Sequence, residues 1–232
     1  MRWTGISLAL LTAGYAVNAI LPAAGIRGPA DLALLILFLL SMIFMLPFSA
    51  KIVLLPIIGS FIGFLFEYIG LSYGFPFGSY SYLKLEKYSI YRVPVPVIVA
   101  WGIYLYTCYL ASTFLIRGKR RILIVPLLMV LLDMAVDPVM VEQGVWAWRE
   151  KGLWFGVPLS NFLGWFTVSL TAICLYLALS RDDMLKTLSW HAYIPYIFSY
   201  VPILVSAGQK SFIPAFTSFL MAAALFLFRK FL

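Results

Sequence analysis

Three carboxylic acids, Glu67, Asp133 and Asp137, fall inside long apolar stretches of this chain, where an ionisable group is costly and by default marks a site. Asp133 and Asp137 are four residues apart and therefore share one face of a helix. At a rise of about 1.5 Å per residue, Asp133 lies ~16 Å into its stretch, and Asp137 and Glu67 each lie ~22 Å into theirs. Asn161 opens a further stretch from the opposite side and falls near that level, where no Lys, Arg or His occurs. Carboxyls without a cation in a dry medium favour the neutral form, and neighbouring carboxyls reinforce one another. A neutral carboxylic acid is a proton donor. Pro138 directly follows Asp137; it removes a backbone donor and disfavours helical geometry at the residue before it. We expect a broken helix end there that presents Asp137 to a cavity. Taken alone, Glu67 has an ordinary alternative, an ion pair with Arg92.

A proton donor in apolar surroundings suits acid chemistry on an alkene. Protonation of a double bond gives the more substituted carbocation, aromatic faces stabilise that cation, and water or an internal double bond captures it. A second carboxylate accepts the proton released by attacking water. Residues 72–93 and 143–157 each connect an odd-numbered apolar stretch to the next, so both lie on one side of the bundle. The first carries Tyr73, Phe75, Phe77, Tyr80 and Tyr82, and the second carries Trp146, Trp148, Trp154 and Phe155. Single Tyr and Trp residues at headgroup level are ordinary membrane anchors. Two Gly/Pro-shaped aromatic loops on the same side need more than that. The chain has no Gly-rich phosphate loop, HExxH, CxxC or Ser/His/Asp set, so neither a metal nor a redox cofactor is expected. His191 reads as a capping or interfacial residue on the other side, and Cys108 and Cys174 as small core hydrophobes. Asp182 and Asp183, beside Arg181 and Lys186, read as a solvated loop.

Composition dictates the elements that must hold these residues. The 232 residues are 63% hydrophobic and 11% charged, with a mean hydropathy of +0.99, whereas soluble domains are about half apolar and a quarter charged. A soluble enzyme, a disordered chain and a disulfide scaffold are excluded. Apolar stretches of spanning length run over roughly 4–25, 30–48, 52–71, 94–116, 122–142, 158–180, 188–206 and 212–230. We expect an all-α, polytopic transmembrane bundle of about eight spans in a single domain. Seven spans are the alternative, because Pro195 and Pro202 interrupt the seventh stretch. The first stretch is longer than a signal-peptide core and reads as a mature helix. The net charge of +8 reads as topology-setting loops and not as a nucleic-acid surface. With the N-terminus inside, inner segments hold ten Lys and Arg residues and outer segments seven, which places both termini on the cytoplasmic side of the cell membrane.

Two blocks of residues carry a family resemblance. The first is Glu67, Gly70, Gly74-Phe75-Pro76-Phe77-Gly78-x-Tyr80-x-Tyr82, Val93-Pro94 and Ala100-Trp101. The second is Leu132-Asp133-x-x-x-Asp137-Pro138-Val139-Met140, Trp146-x-Trp148 and Phe155-Gly156-Val157-Pro158-x-x-Asn161-Phe162-x-Gly164-Trp165. In type, spacing and order these resemble the carotenoid hydratases of the bisanhydrobacterioruberin hydratase type, densely over residues 60–166. The resemblance implies hydration of a terminal isoprenoid double bond of an acyclic carotenoid to a tertiary alcohol, as in the archaeal route to bacterioruberin. It implies no cofactor; the partners are the apolar carotenoid, water, the lipid bilayer and, in association, other enzymes of carotenoid synthesis. On this reading Asp137 or Asp133 donates the proton, Glu67 is the partner acid or base, and Asn161 positions the water. Tyr73, Phe75, Phe77, Tyr80, Tyr82, Trp101, Trp146, Trp148 and Trp165 would line the polyene channel.

Three rivals share some of these features. A lycopene-cyclase-like enzyme uses the same protonation but captures the cation with a ring-forming double bond. An aspartate-rich prenyltransferase would use Asp133-x-x-x-Asp137 for magnesium and diphosphate, but needs a second acidic motif, and Asp182-Asp183 falls at the opposite face. A proton-coupled transporter or pigment-binding protein also uses buried acids, although inverted repeats are not evident in the sequence.

Overall fold

The computed structural model describes residues 2–26, 29–116, 118–180, 188 and 190–229. The described residues form eight α-helices: α1 (Arg2–Ala23), α2 (Ala30–Met45), α3 (Leu54–Tyr73), α4 (Val95–Leu115), α5 (Arg121–Glu142), α6 (Leu159–Ser180), α7 (Ile194–Ser206) and α8 (Phe212–Leu227). Asp182-Asp183, together with Arg27, Arg117, Arg181, Lys186 and Lys230, lies outside the described residues.

Each apolar stretch becomes a helix, and the chain is an all-α membrane protein. Five helices, α1, α3, α4, α5 and α6, are long and apolar enough to cross a bilayer. The other three fall short of the roughly 20 residues a span takes: α2 and α8 have 16 residues each and α7 has 13. The seventh stretch is shortened because its first residues form a tighter turn over Trp190–Tyr193, and α7 opens only with Pro195 in its first turn, where a missing N–H costs nothing.

Helices α4 and α5 form the centre. α4 packs on α3, α5 and α7, and α5 packs on α4, α6, α7 and α8. From Trp101 to Thr113 every α4 residue except Tyr104 is buried, as expected of a helix that is apolar all round. Interhelical hydrogen bonds, Ser7 to Ser41 at 2.9 Å and Tyr15 to Thr107 at 2.8 Å, tie α1 to α2 and to α4, a common adhesive between apolar helices. Cys108 is buried here. Cys174, expected in the core, is instead exposed on α6, because its position along the helix turns it away from α3 and α5.

The two aromatic loops lie on one side, and they are joined. Strand β1 (Tyr80–Tyr82) pairs antiparallel with a strand from the second loop, Trp146–Trp148, with Tyr80 opposite Trp148 and Tyr82 opposite Trp146. The first loop also folds on itself through β2 (Ser89–Ile90) and β3 (Val93–Pro94), which makes Trp146–Trp148 strand β4. Cross-strand rings meet at 6.0 Å for Tyr80 and Trp148 and 5.8 Å for Tyr82 and Trp146, the kind of pair that stabilises a short ladder. The indole of Trp148 donates to the Phe77 carbonyl at 3.0 Å.

One local expectation is corrected. Helix α5 is not broken at Asp137; it runs through Pro138 to Glu142. Pro138 lacks the N–H that would bond the Met134 carbonyl four residues earlier. The indole N–H of Trp154, reaching in from the second loop, donates to that carbonyl at 2.9 Å. A substitute donor allows the helix to continue, as inside a bilayer it must.

Candidate active site

Four helices and two strands, α3 to α6 with β1 and β4, supply the side chains of one buried site. Helix α5 brings Asp133 and Asp137 to one face, α6 brings Asn161 in its first turn, and α3 brings Glu67 two turns before its end. All four side chains are buried, with Asp133 at 0% exposure and Glu67, the most accessible, at 5%. Asn161 bridges the two aspartates: its Nδ2 donates to Asp133 Oδ2 at 2.7 Å and to Asp137 Oδ2 at 2.5 Å. A single amide nitrogen thus gathers one oxygen of each carboxyl. Two carboxyls so gathered bond to one another only when one of the two carries a proton, which suits the pair to sharing one. The second oxygen of Asp133, Oδ1, is fully buried without a hydrogen-bond partner.

Glu67 is held differently. Its Oε2 accepts from the Tyr80 hydroxyl and, at 2.7 Å, from the Tyr82 hydroxyl. Its Oε1 accepts from the Trp101 indole at 3.1 Å. The alternative pairing with Arg92 is not formed: these three neutral donors occupy the carboxylate, and Arg92 is exposed. Burial first, and then the adjacent Glu67 charge, hold the Tyr80 and Tyr82 phenols well above their ordinary value of 10.0. They stay donors across the physiological range.

Glu67, Asp137 and Asn161 line one small cavity of about 40 Å³ together with Phe77, Tyr80, Tyr82, Val97, Trp146, Trp148 and Trp165. That volume admits water. A larger, mostly apolar cleft of about 510 Å³ adjoins it and shares Val97, Trp146 and Trp165 with it; Trp101 lines the cleft. Trp101 and Trp165 stack at 4.1 Å between centroids. Glycines make room for these rings: a Cβ on Gly63 would collide with the Trp101 side chain, and one on Gly164 would lie 2.6 Å from the Phe77 ring.

Two expected channel residues lie elsewhere. Tyr73 is 81% exposed and Phe75 65% exposed, and neither lines either cavity. Tyr73 ends α3 and Phe75 lies in the turn that follows it, where the chain points outward before doubling back to β1. Conversely, the sequence reading gave Trp154 no role, although a proline inside an apolar helix always frees a carbonyl for which a donor must be found. Val97, and the Asn18 and Asp31 pair at the rim of the larger cleft, joined at 2.9 Å, were not singled out either.

The arrangement sets buried acids beside aromatic walls and an apolar cleft. No curated protein and no solved structure matches the chain. A family model described as carotenoid biosynthesis protein does match, over residues 29–225. That range contains both sequence blocks and every residue of the buried site. The chain belongs to the carotenoid biosynthesis protein family.

Proposed function

We propose that this membrane protein is a cofactor-independent carotenoid hydratase, which adds water to a terminal isoprenoid double bond of an acyclic carotenoid. One observation carries the reading: an aspartate pair able to share a proton faces, across a cavity that admits water, a carboxylate held by three donors. The Asp133–Asp137 pair gives its proton to the less substituted alkene carbon, and the π electrons form the new C–H bond. The tertiary cation left behind faces the rings of Trp146, Trp148 and Trp165, whose quadrupoles stabilise positive charge. Water positioned by Asn161 attacks the cation, and Glu67 takes the released proton. Return of that proton to the aspartates through cavity water restores the starting state, and the net change is addition of one water. The protein works in the cell membrane with both termini cytoplasmic.

The test is expression in a lycopene-producing host, with the pigments separated and weighed by mass spectrometry. The wild-type chain is expected to add the mass of water. A new pigment of unchanged mass would mean cyclisation. Asp133→Asn, Asp137→Asn and Glu67→Gln are each expected to lower hydration by about 10²-fold or more, the usual contribution of a positioned acid or base. Full hydration by all three variants would overturn the acid–base scheme.

A further inference from the structure

Next to the site lies more apolar space than the chemistry uses. The 40 Å³ cavity is too small for the body of a long chain. The 510 Å³ cleft beside it continues, through the shared residues Leu35, Val99 and Ile103, into a second groove of about 580 Å³ between α2, α3 and α4. On α2 the lining runs from Asp31 through Leu35 to Met42, a length of ~16 Å along the helix axis. Along α3 it reaches down to Val53, the residue just before that helix, at the end of the molecule opposite the loops. Ser60 is the one residue with a side-chain hydroxyl in the second groove. Leu39 and Ile57, on either side of it, are 49% and 58% exposed, so the groove opens sideways to lipid.

We propose that this continuous trough is the binding site for the body of a linear polyene, taken in sideways from the bilayer and laid along α2 and α3 with one terminus in the acid cavity. The proposal rests on the hydratase reading for the identity of that terminus. The rim argues against an ordinary phospholipid as the resident. The end nearest the acids is walled by Leu85, Val145 and Trp146, which give a charged headgroup no partner. The acidic residue there, Asp31, is already bonded by Asn18 and would repel a phosphate. An occupant must therefore be apolar at its leading end, and a hydrocarbon chain of uniform character satisfies both halves of the trough. One consequence is that a symmetrical substrate presents one end per visit and must leave and return reversed for the second.

The experiment uses the full chain in lipid nanodiscs with lycopene as probe. A diazirine-bearing phenylalanine analogue is placed at Leu39 or Ile57 in the trough, or at Leu220 of α8, which is 50% exposed but outside it. After illumination, adducts are read by mass. Lycopene adducts at Leu39 and Ile57 are expected to exceed those at Leu220 several-fold, and to persist in the Asp137→Asn variant, which has lost turnover. Equal labelling at all three positions, or phospholipid adducts alone at Leu39 and Ile57 in protein that still hydrates lycopene, would overturn the trough while leaving the hydratase reading intact. Selective lycopene labelling without any added water would do the reverse.

Discussion

At the scale of single residues, the site divides its carboxyls into two kinds by what surrounds each. The aspartates share one amide, with the Trp146 indole beside Asp137, whereas Glu67 meets two phenols and an indole, all donors. This division was half legible in the sequence. The three acids, Asn161 and the absence of nearby cations could be read from position along apolar stretches, because burial at a given depth follows from helix rise. The phenol donors to Glu67 could not, because they arrive from a strand whose partner is more than sixty residues away. The phenols give this arrangement a pH signature. A raised value means the neutral phenol is favoured by the fold: that contribution to stability is whole below pH 10 and is lost as pH climbs through the raised value. Accordingly, replacing Tyr80 and Tyr82 together by Phe should leave the phenolate ultraviolet absorbance of the folded protein at pH 10 unchanged. A clear drop in that absorbance would mean that both had already ionised.

At the scale of elements, helix existence was readable and helix termination was not. Runs of Leu, Ile, Phe and Val announce an apolar helix whatever packs on it, whereas whether a proline ends the helix depends on a donor from elsewhere. At Pro138 the donor is Trp154, and α5 continues. Trp154→Phe keeps the ring but removes the N–H, leaving a buried carbonyl unpaired at a cost of about 1–3 kcal/mol. The expected outcome is a lower unfolding midpoint and reduced hydration in the same variant. Unchanged stability would show that water or another group serves Met134 equally well. The strands β1 and β4 were missed for a related reason. Three residues each give too little alternation to stand out among Gly and Pro, and their pairing is fixed by the helices that bring the loops together.

At the scale of the whole molecule, the apolar composition fixed the solvent before any fold was considered, and the larger clefts follow from helices that do not pack flush against one another. The bundle also places its chemistry on a seam. Glu67, Tyr80, Tyr82 and Trp101 belong to the half of the chain that ends with α4, whereas Asp133, Asp137, Trp146, Asn161 and Trp165 belong to the half that begins with α5. The pairing of β1 with β4 crosses that seam at the loop end, and α4 against α5 crosses it in the membrane. Chains divided between Leu115 and Arg121 should therefore be inert as separate halves and regain hydration when both are produced in one cell, read as hydroxylated pigment; activity in either half alone would contradict this. The two pieces behave as a lock cut through its keyhole: each retains a recognisable edge of the opening, and only their reunion gives a key somewhere to turn.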